Sequence, residues 1–231
     1  MNPIDFLVKQ DEIIKKFKNE DTVLNEGIVP NVKPQQSGYL VIFRHPDSIA
    51  ERVQKLSEKV NSITPVVIYN KPHVHTTITD YMLTEQDFTP DNIILNNMAR
   101  AVHDIKKDIV APEIFYFDWF TNPNTVIAAG NPIDDNFISI AQKYVDAAVK
   151  HGLTSDPKAG GVRLPWGTHI TTARYMNKLD PVADKEKIKE LLHTVKYNPI
   201  LGSSKAEFID VGYFTLKDKT WDITVYERFK I

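Results

Sequence analysis

Two runs of this chain carry the same set of residues able to do acid–base chemistry: "HVHTTITDY", residues 73–81, and "GTHITTARY", residues 167–175. In each, a histidine is followed two positions later by a threonine, giving His75-x-Thr77 and His169-x-Thr171. Both runs alternate like strands. Period-2 geometry places His75, Thr77, Thr79 and Tyr81 on one face, and His169, Thr171, Ala173 and Tyr175 on one face. An imidazole titrates near neutral pH. Two of them across a cleft can act as base and acid on one phosphodiester, one taking a proton from water and the other protonating the leaving oxygen. A threonine hydroxyl two residues along the same face can donate to a non-bridging phosphate oxygen. This scheme requires neither a metal ion nor a covalent nucleophile. A single His-x-Thr is a weak signal, as short motifs match by chance. Its recurrence 94 residues later, on a second strand followed by a second helix, gives it weight.

The elements around the two runs repeat in order. Asn2-Pro3 caps a helix with Phe6, Leu7, Ile13, Ile14 and Phe17 at helical spacing, an extension docked on the main domain. Residues 20–38 read as an irregular connector. "GYLVIFRH" is a strand, "DSIAERVQKLSEKVNSI" a helix with the stripe Ile49, Val53, Leu56 and Val60, and "PVVIY" a buried strand. After the first motif, a helix runs from Pro90-Asp91 to about Lys107, with Ile94, Met98, Ala101, Val102 and Ile105 inward. The second half offers "EIFYFDWF" and "NTVIAAG" as a strand pair about the turn Asn122-Pro123-Asn124, and a helix closing on Gly152. The second motif strand and the helix "DPVADKEKIKELLHTV" come next. "AEFIDVGYFTL" and "TWDITVYERFKI" form a closing hairpin across Lys217-Asp218-Lys219. The chain therefore divides into a helical extension and connector, residues 1–37, and a duplicated domain, residues 38–231, with halves of about 38–110 and 111–231.

Composition narrows the function. The formal net charge is −2, without the basic excess that a grip on a long nucleic acid backbone needs, so the expected partner is a small nucleotide or short oligonucleotide. Cysteine is absent, which removes disulfides, thiolate metal sites and cysteine nucleophiles, and fits a reducing compartment. No apolar run is long enough for a membrane span and the start lacks a signal-peptide core, so a soluble, cytoplasmic protein with no membrane partner is expected. Oligomeric state leaves no trace in the sequence.

The paired motifs on a duplicated strand–helix layout resemble the 2H phosphoesterase superfamily, which includes bacterial RNA 2′,3′-cyclic phosphodiesterases, also called 2′-5′ RNA ligases. The resemblance covers about residues 38–231. It implies an α+β, bilobal fold with two antiparallel sheets around a central cleft. It also implies His75 and His169 as the catalytic pair, Thr77 and Thr171 as phosphate binders, and no cofactor. Thr172 departs from the family, which often has an apolar residue there.

Tyr81, Tyr175 and Trp166 are candidates to stack on a nucleobase, and Arg163 to pair with phosphate. Arg174 alternates away from His169 and reads as pointing elsewhere. Arg44 is a candidate by location alone. His73 shares the face of His75 and reads as a solvated residue at the strand start. His45, His103, His151 and His193 have no sequence partner and read as surface or capping residues. Gly160-Gly161 reads as a flexible loop beside the cleft. Two other functions compete: a metal-dependent hydrolase using His73 and His75 as a His-x-His pair, and a nucleotide- or RNA-binding module without catalysis.

Overall fold

Long β-branched and aromatic runs in this chain form strands, and the amphipathic segments between them form helices that cover one side of the sheet. The computed structural model describes residues 2–17, 35–84, 87–122, 124–176, 182–196, 201–217 and 220–231. The connector expected at 20–38 falls mostly outside the described residues, as do Pro123 of the expected turn and Asp218-Lys219 of the closing hairpin.

The strands are β1 (Gln35–Arg44), β2 (Val66–Ile68), β3 (His75–Thr84), β4 (Glu113–Thr121), β5 (Thr125–Pro132), β6 (Thr168–Tyr175), β7 (Gly202–Lys205), β8 (Phe208–Lys217) and β9 (Thr220–Lys230). The helices are α1 (Pro3–Phe17), α2 (Asp47–Asn61), α3 (Asn92–Ile105), α4 (Asn136–Lys150) and α5 (Val182–Lys196). Among these strands, β7 alone is not expected from the sequence; its Gly-Ser-Ser-Lys composition carries no strand signal and it exists by pairing with β4.

All pairings are antiparallel, in the order β7-β4-β5-β6-β3-β1-β8-β9, with β2 added to β6. The sheet is two half-sheets. They join where β3 meets β6, and that joint is a single residue pair, Thr76–Ile170. The half-sheets do not follow the halves of the sequence: the β8–β9 hairpin pairs with β1, and β2 pairs with β6. Among the described residues, no helix is long and apolar enough to cross a membrane.

The main core lies between the sheet and helices α2 to α5. Ile49, Val53, Leu56 and Val60 of α2 are all buried there, as their spacing predicts, and so are Met98, Ala101, Val102 and Ile105 of α3. Ile94 lies at the edge of this core, and Leu95 takes the fully buried place. Helix α1 adds Phe6 to this core, its ring 5.9 Å from that of Phe137 in α4, and further along lies over the other face of β4–β5, where Ile14 packs with Phe120, Ile127 and Ala129. Its inward face is Phe6, Gln10 and Ile14, not the purely apolar stripe expected; Leu7 points outward.

Candidate active site

The joint between the half-sheets brings the two motifs together. In an antiparallel register centred on Thr76–Ile170, position 75 stands opposite 171 and position 77 opposite 169. Each histidine therefore faces the threonine of the other motif, and the four side chains form a square with a pseudo-twofold axis. All four line one cavity of about 500 Å³. The intervening residues Thr76 and Ile170 point to the opposite face and are fully buried.

Both imidazoles are held the same way. His75 Nδ1 lies 2.6 Å from the His73 carbonyl and His169 Nδ1 lies 3.3 Å from the Gly167 carbonyl. A carbonyl accepts only, so each ring carries its proton on Nδ1 and turns Nε2 to the cavity. Burial pushes the His75 pKa down to about 3, with the charges of Arg44 and His169 adding to the effect against the favourable carbonyl bond. Burial and then Arg174 lower His169 to about 4, again against its carbonyl bond. His169 is more open to the cavity than His75. With no anion bound, both rings are neutral at physiological pH.

The turn that aims His75 is itself anchored. Arg44 Nη1 donates to the carbonyls of Pro72 and Val74, while its Nε bonds the buried Asp210 at 2.6 Å. Arg228 shares Asp210 through bonds of 2.7 and 2.8 Å. Arg44, opposite His75 in the β1–β3 register, thus positions His75 from the neighbouring strand.

After each motif the alternation slips. β1 pairs Ile42 with Thr77 and Val41 with Thr79, so Ile78 is an extra residue; β5 pairs Ile127 with Thr171 and Val126 with Ala173, so Thr172 is extra. These β-bulges fall at the same place, three residues after each histidine, and each reverses the facing of the residues that follow it, through Tyr81 in β3 and Tyr175 in β6. Three expectations change as a result. Tyr81 turns into the main core against Tyr39, with ring centroids 6.1 Å apart. Tyr175 is fully buried, its hydroxyl 2.9 Å from Thr121 Oγ1. Neither lines the cavity, so neither is placed to stack on a base. Arg174, expected to point elsewhere, lines the cavity, and Asp80 takes the matching place on β3. Thr79 is buried and bonds the backbone of Arg163. Thr172 is buried too, and among the described residues its hydroxyl has no partner, so an apolar side chain would suit this position.

Trp166 and Arg163 do reach the cavity. The Trp166 ring stacks on His169 with centroids 4.3 Å apart and planes 23° apart. Arg163 is tied to Asp80 by bonds of 3.1 and 3.0 Å. Arg174 Nε donates to the Tyr69 hydroxyl at 2.8 Å, and its guanidinium lies 5.3 Å over the Trp221 ring. Tyr69, Trp221 and Lys9 are cavity residues that the motifs do not reveal. The first two come from elements far in sequence, and Lys9 from the extension.

His73 sits on a short 3₁₀ turn, half-buried, its Nε2 3.1 Å from Asp222. It does not share the cavity with His75, because the turn breaks the alternation. Among the described residues, no three His, Cys, Asp or Glu side chains converge.

His45 is not a surface residue. Its Nδ1 lies 2.8 Å from Ser204 Oγ, and its Nε2 lies 2.9 Å from Thr76 Oγ1 and 3.1 Å from the Tyr116 hydroxyl. This network lies directly behind the joint between the half-sheets, and Thr76 Oγ1 also donates to the His169 carbonyl at 3.2 Å. Burial, with Arg44 nearby, lowers His45 from 6.5 to about 3. An unfolded chain binds a proton here below about pH 6.5 that the folded protein refuses, so stability falls as pH drops through that window. At about pH 5 His45 alone is expected to cost about 2 kcal/mol relative to neutral pH. Denaturant melts across this range should show an acid slope that His45→Gln reduces by about one proton; equal slopes would contradict a buried neutral His45.

No family model matches the chain, and no curated protein matches it in sequence. Solved structures do match. TT0787 of Thermus thermophilus superposes with a TM-score of 0.57 at 18% identity, over 84% of this chain and 97% of that one. E. coli LigT in complex with 3′-AMP superposes with a TM-score of 0.55 at 12% identity, over 85% of this chain and 98% of LigT. LigT in complex with phosphate gives a TM-score of 0.51 at 11% identity. The fold is that of LigT. The bilobal antiparallel architecture that the 2H resemblance implies is thus the architecture of this chain. Both matches leave about a seventh of this chain uncovered while nearly exhausting the partner, so the LigT-like unit is here enlarged.

Proposed function

We propose that this protein is a metal-independent phosphodiesterase acting on a small nucleotide: a 2′,3′-cyclic phosphate, a 2′-5′ linkage or a cyclic nucleotide. One observation carries the reading: the two His-x-Thr motifs meet at the Thr76–Ile170 pair, so that two Nε2 atoms and two hydroxyls face one cavity. In the reaction, the neutral imidazole takes a proton from water as its oxygen attacks phosphorus. The other, protonated, imidazole gives its proton to the departing ribose oxygen. Thr77 and Thr171 donate to the non-bridging oxygens as charge builds there. Burial by itself favours the neutral form of both rings; the substrate's phosphate charge favours the imidazolium and so supplies the protonated partner. The resting carbonyl bonds on Nδ1 support that cation without changing the ring's orientation. Trp166, stacked on His169, offers an aromatic wall for a base. LigT, which shares the fold, has been crystallised with 3′-AMP and with phosphate, groups of the class proposed here.

The test uses protein stripped with EDTA. It should hydrolyse a nucleoside 2′,3′-cyclic phosphate or a 2′-5′ dinucleotide as fast as untreated protein. Activity lost on chelation and restored by zinc or manganese would overturn the metal-independent mechanism. Stable, folded protein that cleaves neither of these nor a 3′,5′-cyclic nucleotide would overturn the phosphodiesterase reading itself.

A further inference from the structure

Helix α1 is fastened to the second motif by one buried polar side chain. Gln10 is 2% exposed. Its Nε2 donates to the Gly130 carbonyl and to Asn131 Oδ1, both at 3.0 Å. Its Oε1 accepts from Thr168 N at 2.6 Å and Thr168 Oγ1 at 2.9 Å. Gly130 and Thr168 are partners in the β5–β6 ladder, so the Gln10 amide adds a rung directly before His169. Gly167 makes the approach possible: a Cβ there would stand 2.9 Å from Gln10 Oε1.

The neighbour of this anchor is Lys9, and Lys9 lines the same cavity as Trp166 and His169. Its side chain is exposed and has no carboxylate partner among the described residues. The other cations of the cavity are engaged. Arg163 is paired with Asp80 through two bonds, and Arg174 is held by Tyr69 and Trp221. The reacting phosphate already has two imidazoles and two hydroxyls, and the cavity is sized for a ligand well beyond one phosphate. A cation delivered to its rim by an anchored helix therefore fits a further anionic group.

We propose that Lys9 binds a second phosphate group of the substrate, making the helix a determinant of substrate choice. The inference rests on the phosphodiesterase reading above. The second phosphate is either a monoester at the far end of a mononucleotide or the neighbouring diester of a short oligonucleotide.

Calorimetry on the full chain tests this with three probes: adenosine 2′-phosphate, adenosine 2′,5′-bisphosphate and an adenosine dinucleotide ending in a 2′-phosphate. The wild type should prefer one of the two doubly phosphorylated probes to the monophosphate by roughly tenfold, the scale of one charge-assisted contact. Which probe is preferred identifies the source of the second phosphate. Lys9→Gln should abolish the preference and Lys9→Arg should keep it. A wild type that binds all three alike, or a Lys9→Gln variant with the wild-type preference, overturns the role of Lys9 while hydrolysis of cyclic phosphates stands. If no probe binds and no cyclic phosphate is cleaved, the functional reading falls and the Lys9 assignment with it.

Discussion

His75→Ala and His169→Ala are each expected to lower kcat/KM by about 10³-fold, the scale of one general acid–base partner. The double variant is expected to be little worse than either single one, because the two groups act as one unit. The opposed Nδ1–carbonyl bonds motivate this: they leave one titratable nitrogen of each ring facing the cavity. Removing either imidazole empties part of a cavity wall and leaves the main core intact, so both variants should remain folded by circular dichroism. Kinetics on a cyclic phosphate check the prediction. Single variants with near wild-type turnover would remove the histidines from the mechanism. The pH profile of the wild type gives an independent readout. It should be bell-shaped, with apparent pKa values that belong to the pair. A profile rising on one limb and flat above neutrality would count against a protonated partner.

The second large effect concerns hydroxyls. Thr77→Val and Thr171→Val should each reduce turnover on the order of 100-fold, the loss expected when one donor to a developing oxyanion is removed. Melting temperatures should barely move, since both side chains line the cavity and are only half-buried. The adjacent Thr76 provides the contrast. It is fully buried within the His45–Tyr116 network. Thr76→Val should destabilise the fold by about 1–3 kcal/mol, because buried partners lose a hydrogen bond. Denaturation and kinetics on the same samples separate the two. If Thr77→Val unfolded the protein while turnover per folded molecule stayed intact, its hydroxyl would be structural.

The matched histidines, their threonines and the strand–helix order around them could be read from the chain, because each depends on local spacing. A stripe such as Ile49, Val53, Leu56 and Val60 can bury itself in only one way on a helix. Past Thr77 and Thr171 that logic stops. Whether a strand keeps its alternation depends on its partner's length and register, and the bulges at Ile78 and Thr172 exist only against β1 and β5. One extra residue in each strand sends Tyr81 and Tyr175 into the core and turns Asp80 and Arg174 to the cavity. His45 is a similar case. Nothing in "RHPDS" marks it as buried; the Ser204, Thr76 and Tyr116 side chains that satisfy it arrive from three distant strands. Gln10 looks like an ordinary surface residue on an amphipathic helix. It is buried because the end of the β5–β6 ladder offers a carbonyl and an N–H that its side-chain amide satisfies together. Local pattern determined which residues carry the chemistry; long-range hydrogen bonding decided which way the rest of them face.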